Sequence, residues 1–232
     1  MPPSVSVVIP MYNEEDHVGR AVAAAREVLD QLGSDYEIIV VDDASTDATA
    51  SLADELARSD ARVRVLRHPV NRGLGGTLRT GYATATKELV FYTDADLPAD
   101  LNELARAIHL LELQQADVLA GYRFDRTGEG FRRALLARGY NALIRALFGL
   151  RIRDVNFAFK LFRRGLLERM PLTSEGSFID AEFLLRARAA GAAVIQMGLD
   201  YFPRSRGPSK LSSLAVIRGI LRELIRFRRG PH

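Results

Sequence analysis

Hydrophobic runs and helical periods alternate along the first half of the chain. Residues 4–10 (SVSVVIP) form a continuous β-branched run, the pattern of a strand buried on both faces. An amphipathic stretch follows over residues 15–32, with Val18, Val22, Ala25, Val28 and Leu29 on one face, and Gly33-Ser34 ends it. Residues 36–41 (YEIIVV) predict a second buried strand closing in Asp42-Asp43. Ser45 or Thr46 is placed to cap a helix over residues 47–58. A short third strand at 63–66 leads to Asn71-Arg72-Gly73-Leu74-Gly75-Gly76, a glycine-rich loop opening the next helix. A fourth strand at 88–92, a helix at 101–113 and a fifth strand at 117–121, ending in Tyr122-Arg123, complete this half. Such alternation predicts an α/β fold, a Rossmann-like, mostly parallel sheet flanked by helices, with its ligand crevice at the carboxyl ends of the strands.

The second half is patterned differently. Residues 131–150 read as a helix with apolar and basic positions interleaved, and residues 156–163 (NFAFKLFR) alternate like a strand. A helix at 178–190 carries Asp180 and Glu182 near its start, and a last strand spans 193–202. A basic Gly/Pro loop at 204–209 precedes a final helix at 211–229. That helix carries one stripe of Leu214, Ile217, Leu221, Leu224 and Ile225 and another of Arg218, Arg222, Arg226 and Arg229. A basic amphipathic helix suits an anionic membrane interface, and equally an ordinary surface helix with solvated arginines. There is no repeat, low-complexity tract or linker, so residues 1–232 read as one domain with a variable C-terminal half.

Charge changes this picture more than composition does. The net charge is only +3, yet over residues 200–232 Arg204, Arg206, Lys210, Arg218, Arg222, Arg226, Arg228 and Arg229 face only Asp200 and Glu223. A patch of this kind implies an anionic partner. The absence of cysteine excludes disulfides, thiolate zinc sites and a cysteine nucleophile. Neither a signal peptide nor an apolar run long enough to cross a bilayer is evident, so a soluble or membrane-surface protein is expected.

Candidate chemistry centres on Phe91-Tyr92-Thr93-Asp94-Ala95-Asp96-Leu97-Pro98. Alternation along an extended chain sends Asp94 and Asp96 to the same side. Two hard oxygen donors there can hold a divalent cation whose shell a substrate's phosphates complete; they can also simply cap the next helix. After the first strand, Pro-Met-Tyr-Asn-Glu-Glu stands where a nicotinamide-binding domain would carry its glycines. Tyr12 can stack on a base and Glu14 can accept from base or ribose, or the segment is only a helix entry with acids favoured by the dipole. An acid ending the second strand commonly takes a ribose hydroxyl or base N–H. The glycine-rich loop lacks the lysine and Ser/Thr of a P-loop, and a tight turn explains its glycines.

Taken in order, VSVVIPMYNEE, YEIIVVDDASTDAT, NRGLGGTLRTG, ELVFYTDADLP, the Gly-Tyr-Arg ending the fifth strand, DVNFAFKLFRR, SFIDAEFLLRA and PRSRGPSKL cover roughly residues 5–212. The set resembles family 2 glycosyltransferases of the GT-A fold, within them the dolichyl-phosphate mannose synthase-like group. The resemblance implies a nucleotide-sugar half at 1–123, an acceptor half at 124–210 and a basic amphipathic helix at 211–232. It places Pro10, Tyr12 and Glu14 along the nucleotide, with Val41 and Asp43 at its base. Asp94, Ala95 and Asp96 would meet ribose, phosphate and metal, with Asp96 the strongest metal ligand. Arg123, Arg204 and Lys210 match basic positions near the phosphates. Two departures stand out: Pro98, where many relatives carry a polar residue, and Phe157-Ala158-Phe159, where the acceptor segment reads small-Gly-Phe.

The implied reaction is an inverting transfer of a hexose from GDP-mannose or UDP-glucose to a polyprenyl or dolichyl phosphate. Mg²⁺ or Mn²⁺ would neutralise the diphosphate, assisted by Arg204 and its basic neighbours. The expected location is peripheral, on the cytoplasmic face of the membrane, with no nucleic acid as partner. A lipid phosphate, with a second pKa of about 6, needs no general base. Asp180, where other members place a base, is therefore expected to orient another group, for example an arginine. Two rivals remain: a family 2 transferase to a saccharide hydroxyl that uses Asp180 as base, and a non-catalytic protein binding membranes or polynucleotides through its basic face.

Overall fold

The computed structural model describes residues 2–124, 131–202 and 214–229. Seven strands form one sheet in the order β3-β2-β1-β4-β6-β5-β7. These are β1 (Val5–Met11), β2 (Tyr36–Asp42), β3 (Val63–Arg67), β4 (Leu89–Thr93), β5 (Val118–Arg123), β6 (Phe159–Arg163) and β7 (Val194–Leu199). All pair in parallel except β6, which runs antiparallel between β4 and β5. The helices are α1 (Val18–Leu32), α2 (Thr49–Ser59), α3 (Gly73–Thr84), α4 (Glu103–Leu113), α5 (Phe131–Phe148), α6 (Ile179–Ala189) and α7 (Leu214–Arg229).

The β-branched runs fix the layering. In β1 the odd positions Val5, Val7, Ile9 and Met11 enter one core, shared with α1, α2 and α4. Val8 enters the other, with Leu78 and Tyr82 of α3, Ile144 of α5, Phe183 of α6 and Leu224 of α7. Alternating side chains of a strand buried on both faces must divide in this way. From β1 the chain winds outward through β2 and β3, then returns to place β4 on β1's other side, with Val5 opposite Leu89 and Val8 opposite Tyr92. The reversal leaves a crevice at the carboxyl ends of β1 and β4.

Most elements follow the hydrophobic pattern, with ends shifted where side chains decide. Residues 15–17 stay outside α1, because the Glu14 backbone N–H donates to Thr49 Oγ1 and the Glu14 carbonyl accepts from His17 and Val18. Neither Ser45 nor Thr46 caps α2. Asp47 Oδ1 instead accepts from the Thr49 N–H at 2.9 Å, while Ser45 Oγ accepts from the Asn13 N–H at 2.9 Å and ties two crevice loops together. The strand expected at 156–163 is only Phe159–Arg163 long, and a 3-10 helix, Arg164–Arg169, follows it.

The glycines of α3 serve close packing rather than a turn alone. A Cβ on Gly75 would lie 2.3 Å from the Ser174 carbonyl oxygen. The N–H groups of Gly75 and Gly76 donate to the Glu175 carbonyl at 2.7 and 3.2 Å. The free amides of the helix's first turn are thus satisfied by protein.

Candidate active site

A cavity of about 700 Å³ opens at the reversal point. Three strand-end loops form one side of it, and each carries a non-glycine residue in the left-handed region: Asn13 (φ 52°) after β1, Ala44 (φ 61°) after β2 and Leu97 (φ 52°) after β4. Such backbone conformations cost about 1–2 kcal/mol each and concentrate where loops are held for function.

Asp94 and Asp96 meet here by a different route from the one alternation implies. β4 ends at Thr93, and the chain then turns, the Leu97 N–H donating to the Asp94 carbonyl at 3.1 Å. Both carboxylates line the cavity nonetheless. Burial pushes Asp94 up to about 7, and the charges of Asp96 and Asp180 add to the effect. The Tyr92 hydroxyl donates to Asp94 Oδ1 at 3.0 Å, which opposes the rise only in part. Two crowded, desolvated carboxylates are a donor set that a hard divalent cation fits. Among the described residues no third metal-ligating side chain joins them, which leaves the rest of a shell to substrate oxygens and water.

The cavity gathers Pro10, Tyr12, Glu14, Asp43, Asp94, Ala95 and Asp96 from the sequence-derived set. Tyr12 is exposed on the wall. Glu14 is buried and lies 3.1 Å from His17 Nδ1. Asp43 is heavily engaged: Oδ1 accepts from the Arg72 N–H and Oδ2 from the Gly73 N–H, both at 2.8 Å, while His68 Nδ1 sits 2.6 Å from Oδ1. It anchors the glycine-rich segment, closing the entry to a helix other than its own.

Other candidates lie off the cavity wall. Val41 is fully buried in the core beside α3. Arg123 lies 3.6 Å from Asp154, its guanidinium over the rings of Phe157 (5.1 Å) and Tyr201 (4.8 Å). Asp180 is buried in the first turn of α6, and its partner is a lysine rather than an arginine: Lys160 Nζ lies 2.5 Å from Oδ1. That ammonium also donates to the Phe157 carbonyl and sits 5.4 Å from the Tyr92 ring centroid. Burial raises the Asp180 carboxyl, while the Lys160 charge and hydrogen bond pull it down. Arg204 and Lys210 lie outside the described residues.

Residues 219–226 form a wall in a helix that the sequence left open between a membrane-facing element and an ordinary surface helix. Gly219, Ile220, Arg222, Glu223 and Arg226 of α7 line the cavity. Glu223 Oε1 accepts from the N–H groups of Glu175 and Gly176 at 2.9 and 2.7 Å. The stripe divides accordingly: Leu224 packs inward, with Ile220 and Phe227 beside it, while Leu221 and Ile225 remain exposed. A lone acid among arginines was the one signal in the sequence for this docking. Asn71 and Thr77 also line the cavity and were not anticipated.

A reversing, mostly parallel sheet with an acid pair at its crevice matches the GT-A fold of glycosyltransferases. The chain belongs to glycosyl transferase family 2, whose description matches residues 6–170. It is 32% identical over 229 residues to the glycosyltransferase AglD of Haloferax volcanii, covering 96% of this chain and 36% of that one. The chain thus spans about a third of that relative's length. It is 30% identical over 217 residues to the polyprenol monophosphomannose synthase of Mycolicibacterium smegmatis, covering 89% of this chain and 80% of that protein. Among solved structures, glucosyl-3-phosphoglycerate synthase from Mycobacterium tuberculosis, in complex with Mn²⁺, UDP and phosphoglyceric acid, superposes with a TM-score of 0.74 at 25% identity, covering 99% of this chain and 80% of that one.

Proposed function

We propose that this chain transfers a hexose from a nucleotide sugar, GDP-mannose or UDP-glucose, to a polyprenyl phosphate. The observation carrying this reading is the juxtaposition of Asp94 and Asp96 with Tyr12 and Glu14 in one cavity at the sheet's reversal. A relative named as a polyprenol monophosphomannose synthase, aligned over most of both chains, supports the acceptor class. The neighbour crystallised with Mn²⁺ and UDP supports a uridine donor with a divalent cation.

In this reading Asp94 and Asp96 hold Mg²⁺ or Mn²⁺, which when bound supplies Lewis-acid neutralisation of the leaving diphosphate. Tyr12 stacks on the base and Glu14 accepts from base or ribose. The Asp43 carboxylate keeps the neighbouring loop in place, and Arg123, Arg204 and Lys210 are the further cationic candidates. The acceptor phosphate, already anionic, attacks without a base. The engagement of Asp180 by Lys160 supports a positioning role under Tyr92 and Asp94 rather than proton abstraction. Residues 1–123 form the donor half, 124–210 the acceptor half and 211–232 the membrane-side helix. No helix among the described residues is long and apolar enough to cross a membrane. The exposed Leu221 and Ile225 support peripheral work at the cytoplasmic membrane face.

Calorimetric titration of GDP-mannose and UDP-glucose, with and without Mn²⁺ or Mg²⁺, on the wild type and Asp96→Ala tests the donor site. Metal-dependent binding of one donor, lost in the variant, is the expected result. Binding of neither under any metal condition would overturn the donor assignment. Asp180→Asn separates the acceptors: it abolishes transfer to a saccharide hydroxyl but only weakens transfer to a lipid phosphate.

A further inference from the structure

Helix α7 is held at a defined rotation about its axis. Glu223 is bonded to two backbone amides, Leu224 is buried, and Phe227 packs against Phe148 and Phe178 with ring centroids 5.8 and 5.5 Å apart. With positions 220, 223, 224 and 227 turned inward, Arg222 and Arg226 fall on the flank that forms the cavity wall. Spaced four apart, their side chains are neighbours on one helix face. Neither guanidinium pairs with a carboxylate among the described residues, unlike Arg186 of α6, whose Nε donates to Glu182 at 2.8 Å. Adjacent like charges without a counter-ion favour an anion between them, and the planar guanidinium matches phosphate oxygens. Beside this pair, on the outer side of the same helix, Leu221 and Ile225 are exposed.

An anion subsite at the cavity wall with an apolar strip running outward from it has the form of an amphiphile's binding site. We propose that Arg222 and Arg226 bind the phosphate head of a prenyl phosphate, with Leu221 and Ile225 beneath the first carbons of its chain. This rests on the acceptor class proposed above and assigns it a wall of the cavity. A donor diphosphate would gain nothing from the apolar strip, and a divalent cation held by Asp94 and Asp96 would be its counter-charge elsewhere in the cavity.

The test is calorimetric binding of citronellyl phosphate, a short soluble prenyl phosphate, in the absence of membranes. Arg222→Gln/Arg226→Gln should weaken it at least about tenfold, the scale of one charge-assisted hydrogen bond. Arg218→Gln/Arg228→Gln removes the same charge from exposed positions off the cavity wall and should change it less than about twofold. Donor-nucleotide affinity should stay within the same narrow range in both variants. Arg222→Lys/Arg226→Lys, which keeps the charge, should recover part of the loss if the glutamine pair unfolds. Absence of binding to the wild type, equal loss in the two glutamine pairs, or a parallel loss of donor affinity would each overturn the proposal. A wild type that binds citronellyl phosphate through these arginines yet transfers no sugar to it would sink the proposed function and leave the subsite standing.

Discussion

The two ends of the same sheet treat buried carboxylates in opposite ways. At the amino-terminal edge Glu37 accepts from the Ser6 hydroxyl, the Thr86 N–H and hydroxyl, and Arg64. Burial pushes its carboxyl up, but these donors outweigh it and hold it below its ordinary range. At the carboxyl edge Asp94 has one protein donor in Tyr92, and burial with the charges of Asp96 and Asp180 pushes it to about 7. Glu182 of α6 resembles Glu37: it takes the N–H groups of Thr173 and Ser174, the Thr173 hydroxyl and Arg186. A saturated carboxylate holds the fold together. An undersupplied one destabilises it, which is the mark of a candidate functional group.

The sharpest break in this contrast is chemical. Asp96→Ala should lower kcat/KM by on the order of 10³-fold, since on the proposed reading it removes half of the carboxylate charge that would face a cation, an effect larger than any it has on the melting temperature. A variant that loses stability as well as activity would place Asp96 with the structural acids. Glu182→Ala should do the reverse, costing about 3 kcal/mol in urea unfolding, because it strands the buried Ser174 amide, the Thr173 amide and Arg186. Retained stability there would undo the distinction.

A third test reads proton linkage. The folded Asp94 carboxyl titrates near 7 and the unfolded one near about 3.9, so the native chain binds more protons between those values. Its contribution therefore falls as pH rises from about 4 to 7 and levels off above, on the order of 4 kcal/mol in metal-free buffer. Glu37 and Glu182 act oppositely, their stabilisation being present above the unfolded pKa and lost on acidification. Asp94→Asn should be more stable than the wild type at pH 8, with the difference vanishing near pH 4; equal melting curves at pH 8 would refute the linkage. The smallest effect concerns the backbone. Ala44→Gly relieves a left-handed alanine beside the cavity and should raise unfolding free energy by about 0.5–1 kcal/mol in chemical denaturation.

Much of the architecture was legible before any coordinates. β-Branched runs buried on both faces identify parallel strands from composition alone, and SVSVVIP, YEIIVV and ELVFYT all proved to be strands of one sheet. Gly33, in a left-handed conformation at φ 62°, ended α1 as its sequence position implied. The Asp94/Asp96 pair was equally visible, although a turn, not strand alternation, brings its members to the cavity. The antiparallel β6 between β4 and β5 was not legible as such, since strand direction leaves no mark on periodicity.

What the tertiary structure alone decided is which partner each polar group found. Asp43 became an anchor for the α3 entry, and the Asp180 carboxylate received a lysine from a strand twenty positions earlier. Through Glu223, α7 turned its arginines toward the cavity rather than presenting them all to solvent. Local sequence sets which stretches become helix or strand, because dihedral preference and burial period act over a few residues. Hydrogen bonds and ion pairs between distant segments depend on distances that exist only after the layers have packed, and in this protein those distances separate the acids saturated by protein donors from Asp94 at the cavity.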